Sequence, residues 1–347
     1  MISRAERGRR PDTQRKVRGL KSEGKHLFRL LLLIAVALMV PVLPFLWFGE
    51  SLDGIAWKAL KPPVVKGLPE STHVEVGGVH KIDDAYYVML SHGFIFRSES
   101  VHGPYEPQPK NFNLYTGQLY FPRFFHNHPD GLMTNCHLTG GAIRYAPLKR
   151  VIVDGEGIMR AVWWKGNEAL KHRPLEATVG NKTTHGAITL LDEKYPAADG
   201  VIFEGQIDPA EKEGDAPRGV YFDVDKGDGF AFALYRDRIK FGRLVGSGNA
   251  SDDKPCTLAQ GIPFPRGWNV APNAPKPTAL DRGIAFPAGT KIRILAKEDC
   301  VEVYCNDHMM LIQRIPGWNG RIGLYQPAGK SFVKIERAFS AGSPPAE

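Results

Sequence analysis

The stretch HVEVGGVHKIDDAYYVML, residues 73–90, sets a carboxylate, Glu75, at the head of a short strand. Two glycines and His80 follow, and a tight Asp83-Asp84 turn leads into a second strand rich in tyrosine. A carboxylic acid beside aromatic side chains suits general acid–base work on a sugar, where a protonated carboxyl must reach the leaving oxygen. Further on, His92, Arg123, Asn135, His137 and Trp164 are residue types that line hydroxyl-rich sites. Arginine, asparagine and imidazole bond hydroxyls, and an indole face stacks on a sugar ring. Each also has an ordinary structural use. An edge Glu75 can simply be solvated, as can the turn-adjacent His80 and His92. Arg123 can sit in an ion pair, Asn135 and His137 can lie on a hydrated strand face, and Trp163 or Trp164 can pack in a core.

Other chemistries lack their signatures. The chain has no G-x-S-x-G nucleophile elbow, no phosphate-binding glycine loop, no dinucleotide fingerprint and no HExxH helix. No CxxC or His/Cys cluster suggests a metal site, and no cofactor is implied. Carboxylates and aromatics on short strands remain.

The elements that must position them are almost all strands. From residue 73, short runs broken by Gly, Asp, Asn and Pro predict VGGVHKI, AYYVML and FIFRSES, then QLYFPRFF and LMTNCHL around the turn NHPDG. AIRYAPLKRVIVD and IMRAVWW follow around GEG. Antiparallel meanders of this spacing suit propeller blades or a sandwich. A second all-β region contains GVIFEGQI, GVYFDVDKG, GFAFALYRDRIKFGRLV, GTKIRILAK, CVEVYCND, HMMLIQRI and GRIGLYQ, spaced as a two-sheet sandwich would be. Within it Val301, Val303 and Cys305 should share one face, with Glu302, Tyr304 and Asn306 on the other. A Pro/Asn/Gly-rich excursion over 247–288 should pack across a face or edge.

The net charge of +8 is concentrated at the N-terminus. Residues 1–29 hold ten basic and three acidic side chains, whereas the other 318 hold 35 and 34, so the folded part carries no nucleic-acid footprint. Next comes LLLLIAVALMVPVLPFLWF, residues 30–48, 19 residues without a charge and long enough to cross a bilayer. The basic flank predicts a signal-anchor with a cytoplasmic N-terminus and an extracytoplasmic C-terminal bulk; a cleaved signal and secretion is the alternative. Residues 49–72, spaced by Pro and Lys, read as a stalk. An exported domain permits disulfides, but Cys300 and Cys305 should face opposite ways, roughly 16 Å apart at about 3.3 Å per residue. With Cys136 and Cys256 they form a weak framework. Asn181-Lys182-Thr183 and Asn249-Ala250-Ser251 are glycosylation sequons in a host that glycosylates.

Over residues 73–340 the chain resembles the five-bladed propeller glycosidases of glycoside hydrolase family 32 and their family 43 cousins. The matching pieces are EVGGVHKIDDAYYVML, SESVHGPYEPQPKNF, LYFPRFF with DGLMTNCH, YAPLKRVIVDGEGIMRAVWWKGNEAL, and the hairpin VEVYCNDHMMLIQRIPGWNGRIGLY. The resemblance implies that Glu75 corresponds to the family's acid/base, although the Cys that usually follows is Val76 here. The family's W-x-N-D-P-N-G-like nucleophile strand and R-D-P motif are absent: NHPDG (127–131) is a turn, and YRDRI (235–239) lacks the proline. A closed five-blade propeller needs on the order of 250 residues, so the sequence reads as a propeller missing its first half.

The expected architecture is all-β: a basic tail (1–29), a transmembrane helix (30–48), a stalk (49–72), a partial propeller (73–180), a jelly-roll or concanavalin-like sandwich (181–341) and a short tail (342–347). The expected function is that of a membrane-anchored glycoside hydrolase-like protein acting on glycosidic or fructosidic bonds, impaired by loss of its first blades. The alternative is a non-catalytic carbohydrate-binding or interaction module. The implied partners are a carbohydrate and, through residues 30–48, a membrane, with no nucleic acid.

Overall fold

The strands Val76–Ile82 and Ala85–Leu90 meet by hairpin chemistry. Ile82 pairs with Ala85 across the Asp83-Asp84 turn, where Asp83 takes a left-handed φ of 52°, a conformation that aspartate tolerates better than most residues. The computed structural model describes residues 49–66, 76–90, 93–115, 119–138, 144–184, 187–212, 214–224, 228–245, 257–259, 280–281 and 283–342. The basic tail, the apolar run 30–48, Glu75, His92, Cys256, Asn249 and most of the 247–288 excursion lie outside them. Among the described residues no helix is long and apolar enough to cross a membrane. All of these residues belong to one compact unit, 46–69 with 74–347.

A short hairpin pairs Gly49–Glu50 with Lys58–Ala59, and two four-stranded antiparallel meanders follow. One runs Val76–Ile82, Ala85–Leu90, Ile95–Ser98, Glu106–Pro107, each strand paired with the next. The other runs Leu119–Phe125, Met133–Leu138, Lys149–Val153, Met159–Trp163 in the same up-and-down order, with Arg144–Tyr145 added beside Met133–Leu138. Four-stranded meanders are the unit of a propeller blade.

Two larger sheets follow, sharing one apolar core. The first holds Lys171–Leu175, Val333–Ala341, Val201–Ile207, Thr290–Lys297, Cys300–Cys305 and His308–Arg314 in that spatial order. The second is built around Trp318–Tyr325, Gly219–Val224, Asp228–Leu234 and Arg238–Val245. Phe203, Ile294, Val303 and Leu311 from the first sheet meet Phe222, Phe232, Leu234 and Ile322 from the second, all fully buried. Each buried phenylalanine contributes about 1.5–3 kcal/mol relative to exposure. This is a β-sandwich.

The first sandwich sheet is covered on its other face as well. Ile202, Leu295, Tyr304, Met309 and Ile312 point away from the sandwich core and pack with Tyr87, Met89, Cys136, Met159 and Trp163 of the meanders. Strands buried on both faces read as unbroken apolar runs rather than alternation, as HMMLIQR does. Val301, Val303 and Cys305 face the sandwich core while Tyr304 faces the meanders, as alternation predicts. Cys300 and Cys305 likewise take opposite sides, and Cys136, Cys300 and Cys305 are free thiols. Burial pushes the Cys136 and Cys300 thiols up to about 12 and about 11, away from the reactive thiolate.

The second meander continues edge to edge into this sheet through a single pair, Val162 with His308, reinforced by the Trp163 N–H to the Asp307 carbonyl at 2.7 Å. So thin a seam lets the sheet fold over, and polar groups hold the fold shut. The Lys149 Nζ donates to Glu302 Oε1 and to the Pro147 carbonyl, both at 2.7 Å, and the Tyr304 hydroxyl donates to Glu302 Oε2 at 2.6 Å. Lys149 is fully buried and Glu302 nearly so. Closer to the surface, Glu204 receives Lys171, Arg293 at 3.0 Å and Arg337 at 2.7 Å. The Arg293 guanidinium lies 4.3 Å over the Trp163 ring, whose Nε1 donates to Glu168 at 2.7 Å. Burial alone would raise the Glu204 carboxyl, but hydrogen bonds and charge from Lys171 and Arg293 hold it below the usual range.

Removing one member of a buried ion pair strands the other charge. Lys149→Met should therefore lower unfolding stability by about 3–5 kcal/mol, read from urea midpoints. Lys149→Met with Glu302→Leu should recover at least half of that loss; a double variant as unstable as the two single variants summed would deny the coupling.

Candidate functional site

His80 owes its position to the glycines before it. The strand shifts register between Val76 and Gly78, and Gly78 adopts a φ of 143°. A Cβ there would stand 2.5 Å from His80 Nε2, so no other residue leaves the imidazole this place. The ring lies 4.3 Å from that of Phe124, and His80 Nδ1 shares a 2.7 Å hydrogen bond with His126 Nε2. Burial, then the neighbouring His126, lowers the His80 pKa to about 4. His80 is thus a neutral imidazole at physiological pH, and its buried Nε2 has no partner among the described residues. His126 carried no signal in the sequence, because nothing there shows that the two strands meet.

Arg123, Asn135 and His137 do come together. Arg123 opposes Asn135 across the hairpin, and Asn135 and His137 are two apart on one strand, so the three share a face. Tyr145, paired with His137, sets its ring edge-on to the imidazole at 6.0 Å. Partial burial, then the charge of Arg123, lowers the His137 pKa. Phe124, against which His80 packs, is adjacent to Arg123 and points to the opposite face. The structure therefore separates His80 from the Arg123–Asn135–His137 group.

Trp164 is held by residues read in the sequence only as a turn. Its Nε1 donates to Asp130 Oδ2 at 2.7 Å, and its ring meets His128 edge-on at 5.2 Å. Lys165 reaches Asp130 Oδ1 at 3.1 Å. The Trp164 hydrogen bond, then that from Lys165, keeps the Asp130 carboxyl below the usual range. Trp163 points the other way, into the core under the meanders.

Trp164 also walls a cavity of about 560 Å³ where the second meander meets the sandwich. Tyr145, Leu148, Lys297, Glu298 and Glu302 are among its other lining residues. Tyr145 is 76% exposed and belongs both to this cavity and to the Arg123–Asn135–His137 face. The volume is that of an ordinary small-molecule site, and aromatic walls with a few polar groups are the usual lining. Glu302, however, has both oxygens engaged, by Lys149 and by Tyr304. Hydrolysis of a glycoside needs one proton-bearing carboxyl and a second carboxylate about 5–5.5 or 6.5–9.5 Å away. This cavity is better equipped to bind than to cleave.

No protein-family model matches the chain, and no curated protein matches it. Solved structures of glycosidases do match. A glycoside hydrolase family 32 structure from Bifidobacterium adolescentis aligns at 11% identity and a TM-score of 0.49, over 78% of this chain and 41% of that one. A family 32 β-fructofuranosidase of Bombyx mori aligns at 10% identity and 0.41, over 86% and 73%. An Aspergillus kawachii β-fructofuranosidase complexed with glycerol aligns at 11% and 0.49, over 86% and 64%. The chain thus spans less than half of the Bifidobacterium structure's length. It is an all-β protein similar to family 32 glycosidase structures, the resemblance that its motifs carry. No residue's role follows from likeness at this level.

The His80 shift has a sign. The folded pKa lies below the ordinary value of 6.5, so the unfolded chain binds a proton that the folded chain refuses between pH 6.5 and about 4. Stability from neutral His80 is complete above pH 6.5 and drains away as pH falls to about 4. In thermal melts across this window the wild type should lose more stability than His80→Gln; parallel pH profiles would refute the assignment.

Proposed function

We propose that this chain is a membrane-anchored protein of the glycoside hydrolase family 32 type that recognises, and through Glu75 acts on, glycosidic or fructosidic bonds. Residues 30–48 serve as the anchor, with the basic tail cytoplasmic and the C-terminal bulk extracytoplasmic. The reading rests on one architectural observation: two successive four-stranded meanders lead, in chain order, into a two-sheet sandwich. The family motifs fall on these same elements. In this reading the meanders at 73–180 are the closing blades of a propeller and 181–341 is the appended sandwich. Glu75 is the inherited acid/base, and the Arg123–Asn135–His137 face binds sugar hydroxyls.

A second reading, a carbohydrate-binding module without catalysis, is favoured by the occupied Glu302 in the cavity and by the missing nucleophile motif. There Trp164 and Tyr145 supply the stacking faces and Lys297 and Glu298 the hydroxyl partners.

The two readings separate on the bench. Purified chain assayed on aryl glycosides and fructans should show turnover that Glu75→Gln abolishes while ligand binding persists. Turnover equal in wild type and Glu75→Gln would dismiss the acid role. If the cavity binds the sugar, Trp164→Ala should weaken binding roughly tenfold, about 1.4 kcal/mol, by calorimetry. Unchanged affinity would move the site elsewhere.

A further inference from the structure

Large apolar side chains exposed to water are few among the described residues, and half of them crowd into one short segment. Leu52, Ile55, Trp57 and Val64 stand fully or mostly exposed, Ile55 at 86% and Trp57 at 68%. Isolated exposed apolar residues need no explanation, but a cluster does.

The segment is a built hairpin. Gly49–Glu50 pairs antiparallel with Lys58–Ala59. Asp53 Oδ1 accepts the Ile55 and Ala56 N–H groups at 2.8 Å, and the Ser51 hydroxyl accepts the Gly54 N–H at 2.8 Å. The Trp57 Nε1 donates to the Gly54 carbonyl at 3.2 Å. The tip therefore satisfies its own polar groups while turning Leu52 and Ile55 outward. Its far end is tied down, because Lys66 N–H bonds the Tyr105 carbonyl and Tyr105 N–H bonds the Val64 carbonyl, both at 2.8 Å. Lys58 Nζ is paired with Glu50 Oε1 across the hairpin at 3.1 Å, while Lys61, just beyond it, is long enough to send its ammonium group to headgroup phosphates with its stem on apolar surface.

What this hairpin meets is indicated by where it begins. Gly49 directly follows the uncharged run 30–48, and Leu52 is three residues further on, within about 11 Å at full extension. If that run enters a bilayer, the hairpin cannot leave the membrane surface. Tryptophan and flanking lysines are what an interface selects.

We propose that the 49–59 hairpin is a membrane-interface foot, with Leu52, Ile55 and Trp57 seated among lipid headgroups and upper acyl chains. It holds the sandwich-bearing unit against the bilayer instead of leaving it free on a flexible stalk. The inference rests on the anchor reading of residues 30–48 and is independent of any carbohydrate activity.

The test uses the full chain reconstituted into phosphatidylcholine/phosphatidylglycerol vesicles. In a Cys256→Ser/Cys300→Ser background, Ile55→Cys carries an environment-sensitive fluorophore, and exposed Val179→Cys serves as control. The probe at 55 should shift to the blue and be quenched severalfold more than the probe at 179 by doxyl groups on the lipids. If the chain floats with vesicles yet the two probes are quenched alike, the foot is refuted and the anchor stands. If the chain fails to float, the anchor falls and the foot with it. A blue shift without lipid quenching would indicate contact with another copy of the chain and would equally overturn the proposal.

Discussion

The buried pair Lys149–Glu302 is the constraint around which this protein is arranged. An ammonium group with no exposure to water is tolerable only if its charge is met and its donors are used. Here one donor goes to the carboxylate and one to the Pro147 carbonyl, while Tyr304 completes the carboxylate. The partners are 153 residues apart, one on a meander strand and one on the sandwich. They meet where the second meander packs over the outer face of the first sandwich sheet, although only one residue pair joins the two along the sheet edge. The Glu204–Arg293–Trp163 network repeats this arrangement nearer the surface.

From that folding-over the candidate site follows. The crevice left between the 145–148 segment and the sandwich strands becomes the cavity, with Trp164 and Tyr145 on its walls. The same contact that shapes the cavity occupies its deepest carboxylate. With both Glu302 oxygens already bonded, by Lys149 and by Tyr304, ligand contacts in this cavity fall to its other lining residues.

Much of the strand pattern was legible because it is local. Val76–Ile82 and Ala85–Leu90 announce themselves by the Asp-Asp turn, and Met133–Leu138 by NHPDG and its alternation. The long strand Val333–Ala341 escaped notice although it is paired on both sides, by Lys171–Leu175 and by Val201–Ile207. A register shift opposite Glu204 and Gly205 breaks its alternation, so the apolar residues no longer fall on every second position. His126, His128 and Asp130 escaped for another reason. Their roles come from His80 and Trp164, residues whose proximity no local pattern encodes.

Composition, period-two alternation and turn residues were enough to establish an all-β chain, the sites of its hairpins, the shared face of Asn135 and His137, and the opposite facing of Cys300 and Cys305; the register that adds Arg123 to that face came from the structure. These depend on backbone geometry between near neighbours, which holds wherever the strand ends up. The separation of His80 from Arg123, the burial of Lys149, the cavity at Trp164 and the engagement of Glu302 depend instead on which distant strands pack together. That choice is made by the total of apolar burial and charge pairing across the whole chain, and no single stretch of residues carries it.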